Sequence, residues 1–359
     1  MTIASRVQTF CEAYGLQMPI LLAPMAGACP VALSQAVARA GGMGACGALL
    51  MSPDAISDWA RQMRAGGNGA FQMNLWVPDP PPERDPEAEA AVRGFLGQWG
   101  PEVDAKAAEV GLQDFAAQVD AVIDTGPSVI SSIMGVYDEE TVKRLKDNGI
   151  RWFATVTTVA EALEAEAAGA DAVVAQGSEA GGHRGAFHAD RAEAQMIGLF
   201  SLLPAVVDAV KVPVIATGGI ADARGIAAAL TLGASAVQIG TGFLRTPEAG
   251  TPTPWADALG RARPEDTAPT RAFSGRLGRS LRTAYTEAAA TPEAPKPAPY
   301  PIQRNLTGAM RNDAAQAGDL DRMQAWAGQS AALGATDPAE EVTDRLWSQA
   351  RELLNLSTS

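Results

Sequence analysis

The residues best suited to chemistry sit close together in one stretch, Gln176-Gly-Ser-Glu-Ala-Gly-Gly-His183-Arg184-Gly185. Four glycines in ten positions make a loop whose backbone can approach a ligand closely. His183 is one of only two histidines in 359 residues, the other being His188. An imidazole in such a loop suits proton transfer near neutral pH. Arg184 offers a guanidinium to an anionic substrate, with a structural ion pair as the equal alternative. Two histidines, and three cysteines (Cys11, Cys29, Cys46) in no CxxC pair, cannot build a His-rich or Cys-rich metal site, so no metal is expected.

Two further glycine clusters extend the pattern. Ala216-Thr-Gly218-Gly219-Ile220 and Gln238-Ile-Gly240-Thr241-Gly242 each follow a short apolar run. Small residues there bring backbone N–H groups near an anion, and a following helix adds a favourable dipole. The pair therefore reads as a phosphate site. Ala23-Pro24-Met25 and Gln72-Met-Asn74 add small residues and an amide that suit the face and edge of a ring system.

The elements that must position these residues alternate in a regular way. Short apolar runs at 20–23, 43–48, 70–74, 128–131, 151–155, 172–176, 214–217 and 236–240 read as eight strands. Helical patterns, several of them Ala-rich, follow at 31–40, 139–147, 159–168 and 222–232. The form "helix, Gly-Ala, Asp or Ser, strand" occurs twice, at 169–171 and 233–235, and such internal repetition favours a closed barrel over a doubly wound sheet. The predicted class is thus α/β, a (β/α)8 TIM barrel. In that fold function lies at the C-terminal strand ends, where all the motifs above fall. The barrel is expected over 1–245, with an insertion at about 77–126 that opens on Val77-Pro-Asp-Pro-Pro-Pro82. Residues 246–359 read as a C-terminal helical cap on the substrate side, with Val342, Leu346, Trp347, Ala350, Leu353 and Leu354 forming a packing stripe.

Composition removes several classes of function. Hydrophobic residues make up 47% and charged residues 19%, which describes a well-packed globular chain. A net charge of −13 with no Lys/Arg stripe argues against nucleic acid as a partner. Neither a signal peptide nor an apolar run of roughly 18 residues is visible, so no membrane association is expected. Three unpaired cysteines fit a cytoplasmic location. A homodimer is left open.

Taken in order, these motifs resemble the nitronate monooxygenase family, formerly 2-nitropropane dioxygenases. The likeness rests on Ala23-Pro24-Met25, Ala40-Gly-Gly-Met-Gly44, Gln72-x-Asn74, the stretch Gln176 to Gly185, Gly218-Gly219-Ile220 and Gln238-Ile-Gly240-Thr241, covering roughly residues 18–245. The resemblance implies noncovalent FMN, its phosphate on Gly218, Gly219, Gly240 and Thr241. It further implies flavin contacts from Ala23, Met25, Asn74, Gln176, Gly181 and Gln238. Nitronates, with O2, would give carbonyl compounds and nitrite, and His183 would take the α-proton from a neutral nitroalkane. Phe273-Ser-Gly-Arg276 and Tyr300-Pro-Ile-Gln-Arg-Asn-Leu-Thr307 are similar to segments that close the family's active site. The second match is partial, since no lysine follows Tyr300, and Tyr300 is expected on the substrate side with Arg184. NAD(P)H-dependent flavin reductases, of the quinone reductase or enoyl-acyl-carrier-protein reductase type, share the barrel and much of the Gly-Gly-His loop. The form Glu179-Ala-Gly-Gly-His183-Arg-Gly185 favours the monooxygenase.

Overall fold

The computed structural model describes residues 1–67 and 69–356. Its centre is eight parallel strands: β1 (Ile20–Leu22), β2 (Gly44–Gly47), β3 (Phe71–Trp76), β4 (Val129–Ile133), β5 (Arg151–Val156), β6 (Ala172–Gln176), β8 (Val214–Thr217) and β9 (Ala236–Ile239). They hydrogen-bond in the cyclic order β1-β9-β8-β6-β5-β4-β3-β2. A parallel bridge between Leu21 and Met43 joins the last strand to the first, so the sheet closes as the predicted (β/α)8 barrel. β1, β6, β8 and β9 are buried at every residue, as strands must be when helices cover one face and barrel core the other.

Helices Val31–Arg39, Pro53–Ala65, Phe115–Thr125, Glu139–Asp147, Val159–Ala168, Leu199–Ala209 and Ala223–Thr231 follow the first seven barrel strands. Several start on a side-chain cap, as at Ser52, Asp114, Asp138, Thr158 and Asp222. Each such cap is worth about 1 kcal/mol. The eighth position is filled from far along the chain. Helix Ala339–Leu353 packs against Val31–Arg39 and Ala223–Thr231, and its Ala339, Val342, Leu346 and Ala350 join the barrel core. The chain therefore leaves the barrel after β9, builds the cap, and returns to complete the helical ring.

The cap is not purely helical. Strands β10 (Thr267–Thr270) and β11 (Gly278–Leu281) form an antiparallel pair, and β11 then pairs with β7, the two residues Gly182–His183. Gly278 stands opposite His183 and Arg279 opposite Gly182. Two residues of the glycine loop are thus held as the edge strand of a three-stranded sheet. The insertion after β3 contributes to the same layer. Val92, Leu96, Val103 and Ala108 share a second apolar core with Phe273, Tyr285, Ile302, Leu306 and Met310 of the cap. A buried ion pair fastens the two, with the Arg276 guanidinium donating to both carboxylate oxygens of Asp79 in the proline-rich loop.

Candidate active site

At the C-terminal ends of the strands lies a cleft of about 430 Å³, within the range that holds a small ligand or cofactor. Its floor comes from the barrel and its roof from the cap. Ala23, Met25, Asn74, Gln176, Gly181, His183, Gly218, Gly219, Gln238, Gly240, Thr241 and Tyr300 all line it, so those expected site residues converge on one space.

One end of the cleft is backbone. Gly218 and Gly219 follow β8 with φ of +107° and +70°, a region open to glycine at little cost. A Cβ on Gly218 would lie 3.1 Å from both the Ala180 amide nitrogen and the Gly177 carbonyl oxygen. Gly240 follows β9 and begins the short 3-10 turn Thr241–Phe243 without a side-chain cap. The N–H groups of Gly218, Gly219, Gly240 and Thr241 find no acceptor among the described residues. Four free donors on two adjacent strand ends fit a phosphate. The helix dipole expected to assist after β8 is already engaged, because Asp222 caps helix Ala223–Thr231 through the Gly225 amide. A strap from the cap crosses this end: Gly328 N donates to Thr241 Oγ1 (3.0 Å), and Ser330 Oγ donates to Gly219 O (2.6 Å).

The middle of the cleft is lined by amides. Asn74 Nδ2 donates to Ser131 O and Oγ, which leaves Oδ1 free for a ligand. Gln238 Oε1 accepts from Gln72 Nε2, leaving its own Nε2. Gln176 is placed differently: both ends of its amide clamp the glycine loop, Nε2 to His183 O (3.0 Å) and Oε1 from Gly185 N (2.8 Å). Its reach to a cofactor is therefore limited to its edge.

The other end is side chains. His183 sits between two indoles, its ring centroid 4.7 Å from Trp76 and 4.8 Å from Trp326, and its Nε2 is 2.7 Å from Ser274 Oγ. Tyr300 stacks 5.2 Å from Trp76, and its buried hydroxyl has no partner among the described residues. Arg304, four residues further on in helix Ile302–Leu306, also lines the cleft, and its guanidinium donates to no acceptor among the described residues. Arg311 lines it too, but is pinned to Thr307 Oγ1, Gln324 Oε1 and Arg304 O. Burial, then the charges of Arg276, Arg304 and Arg311, push the His183 pKa down to about 3. The imidazole is neutral at physiological pH.

Arg184 does not reach this space. Its guanidinium is buried beneath the loop and donates to the carbonyls of Gln176, Thr157 and Gln195. The β7 pairing explains why: alternate residues of a strand face opposite sides, so His183 toward the cleft sends Arg184 away from it. The cations that do line the cleft are Arg304, which falls within the Tyr300–Thr307 segment quoted above without being singled out, and Arg311, which sequence reasoning passed over. For Arg304 the available signal was that segment's likeness; Arg311 had none. Ser274 was marked only by its place in Phe273-Ser-Gly-Arg276, and Trp76 and Trp326 carried no signal, because their approach to His183 depends on contacts from distant segments.

A barrel with phosphate-competent turns on adjacent strand ends, and an imidazole lining the same cleft, defines the class of α/β-barrel enzymes whose strand ends suit a phosphorylated cofactor. The family described as nitronate monooxygenase matches residues 9–348. A probable nitronate monooxygenase of Staphylococcus aureus (strain MSSA476) is 35% identical over 342 residues, covering 94% of this chain and 96% of its own. Among solved structures, nitroalkane oxidase from Streptomyces ansochromogenes superposes with a TM-score of 0.88 at 36% identity, over 97% of this chain and 99% of that one. FabK from Thermotoga maritima is more distant, at a TM-score of 0.75 and 28% identity over 97% of both chains. The chain belongs to the nitronate monooxygenase family, and as such is a flavin-dependent oxidoreductase that acts on small nitronates. No helix among the described residues is long and apolar enough to cross a membrane.

Proposed function

We propose that the flavin is FMN and that the enzyme oxidises nitronates with O2 to carbonyl compounds and nitrite, taking neutral nitroalkanes through His183. One observation carries this reading. The chain bears a net charge of −13, yet among the described residues no Asp or Glu lines its cleft, whereas Arg304 and Arg311 do. A low-dielectric pocket lined by cations of one sign selects a small anion against the field of the whole protein.

The residues present fit a mononucleotide. Gly218, Gly219, Gly240 and Thr241 would hold its phosphate, while Asn74 Oδ1 and Gln238 Nε2 would meet its polar edge and Ala23, Met25 and Gly181 its surface. The strap at 328–330 closes the phosphate end, which supports FMN over a longer dinucleotide. When bound, the flavin supplies the one-electron oxidation of the nitronate. The protein's own task is to bind, orient and exclude water. Arg304 and the Tyr300 hydroxyl hold the anion, Trp76 and Trp326 wall off solvent, and neutral His183 accepts a proton when the substrate arrives as a nitroalkane. Three buried, unpaired cysteines suit a reducing, cytoplasmic compartment.

The test is a visible spectrum of the purified protein, with its released flavin identified, followed by O2 uptake and nitrite release on propionate 3-nitronate and alkyl nitronates. FMN with O2 consumption is expected. Flavin without nitronate oxidation, or rapid anaerobic bleaching by NADH or NADPH, would overturn the reading in favour of a nicotinamide-dependent reductase.

A further inference from the structure

We propose that Ser274 is a positioning residue that fixes the tautomer of His183, so that Nδ1 is the atom that receives the substrate proton. This rests on the proposed reaction, in which His183 acts as the base.

Ser274 is 1% exposed, and its hydroxyl has two neighbours: His183 Nε2 at 2.7 Å and the Arg276 carbonyl oxygen at 3.2 Å. A carbonyl oxygen can only accept, and Arg276 O has no other donor among the described residues. The hydroxyl proton is therefore assigned to Arg276 O, and Oγ presents a lone pair to the imidazole. Nε2 must then carry the ring proton and donate it. The neutral ring has one proton to place, so Nδ1 is the bare nitrogen. Nδ1 has no hydrogen-bond partner among the described residues, and the ring lines the cleft. Trp76 and Trp326 both pack against the ring, at centroid distances of 4.7 and 4.8 Å, and so restrict its motion.

The relay also answers the proton-transfer step. As the α-C–H bond of a nitroalkane breaks, its proton forms the Nδ1–H bond and its electron pair passes on to the nitro oxygens. The nitroalkane becomes a nitronate with no change in oxidation state. The new imidazolium then donates a charge-assisted hydrogen bond from Nε2 to Oγ, stronger than the neutral one it replaces. Among groups that crowd His183 with positive charge, Ser274 and the Arg276 carbonyl are the dipoles that favour its cationic form.

Two histidines make this directly measurable. In protein labelled with 15N-histidine, with His188→Gln used to assign the exposed second ring, the His183 signals are expected to show a protonated Nε2 and a bare Nδ1. A protonated Nδ1 in the neutral ring would overturn the proposal, whether or not the enzyme turns over nitronates. In Ser274→Ala the tautomers should mix, and the rate on nitroethane should fall about 10- to 100-fold relative to the rate on ethylnitronate, the scale of one hydrogen bond to a charged group. Ser274→Thr, which keeps the hydroxyl, should restore both signals and ratio. An unchanged ratio in the alanine variant, with the threonine variant folded and active, would also overturn it. Absence of nitronate oxidation in the wild type would count against the proposed reaction and leave the spectroscopic result standing.

Discussion

The two ends of the cleft are made from different materials. The phosphate end is backbone: glycine amides on β8 and β9, next to each other in the barrel and 22 residues apart between Gly218 and Gly240 (240 − 218). The reactive end is side chain: His183 from one loop, Trp76 from β3, Ser274, Tyr300, Arg304 and Trp326 from the cap. Backbone donors serve any ligand with the right phosphate and tolerate drift in surrounding residues. Side chains gathered from five segments can be exchanged one at a time. On the proposed reading, the first end would retain the cofactor and the second would choose the substrate.

Substitutions should separate the two ends. The largest effect belongs to His183→Asn, which should lower nitroalkane oxidation by about 10²- to 10⁴-fold and affect nitronate oxidation far less, measured as steady-state O2 uptake on both forms of one substrate. Equal losses on both would assign His183 to anion positioning and blur the contrast. Arg304→Leu should raise the KM for nitronates by about 10- to 100-fold, the worth of a hydrogen bond to a charged group, with flavin content retained. Gly219→Ala should act at the opposite end. A non-glycine residue at its φ of +70° costs about 1–2 kcal/mol, which predicts roughly tenfold weaker flavin binding by titration of the apoprotein.

The smallest effect is one of pH. The His183 pKa lies well below that of a free imidazole, so nitroalkane turnover should show no acid limb near pH 6.5. Stability behaves in the complementary way. Below about pH 6.5 the unfolded chain binds a proton at this position that the native state refuses until about pH 3. Native stability should therefore fall as pH drops through that window, and Tm should fall less steeply in His183→Asn than in the wild type. An acid limb at pH 6–7 that disappears in the variant would show the imidazole to be more solvated than its surroundings indicate.

The same contrast explains what could be read from sequence. The barrel was legible because each strand is a local apolar run between local turn signals; β6 and β8 match their expected limits, and the others lie within two residues of them. The glycine turns were legible for the same reason. The cap was not, since β10 and β11 lie in a Pro-, Thr- and Arg-rich stretch that reads as loop, and they become strands only by pairing with each other and with β7. That pairing also decided between His183 and Arg184, two neighbours whose sequence claims on the substrate were similar. A two-residue strand at residue 182 cannot be seen without its partner at residue 279. The last helix showed its apolar stripe plainly, but periodicity does not say which surface it meets, and that surface proved to be the barrel's own helical ring.

The β7–β11 pairing has a consequence for how the enzyme is made. Ser274 lies 91 residues beyond His183, and helix Ala339–Leu353, which completes the ring, comes later still. On a ribosome all eight barrel strands emerge before the partner strand that orients the base. Closing so long a loop is entropically costly and slow. The contacts that fix His183 are therefore among the last to form, since Ser274 and Trp326 follow every barrel strand in the chain.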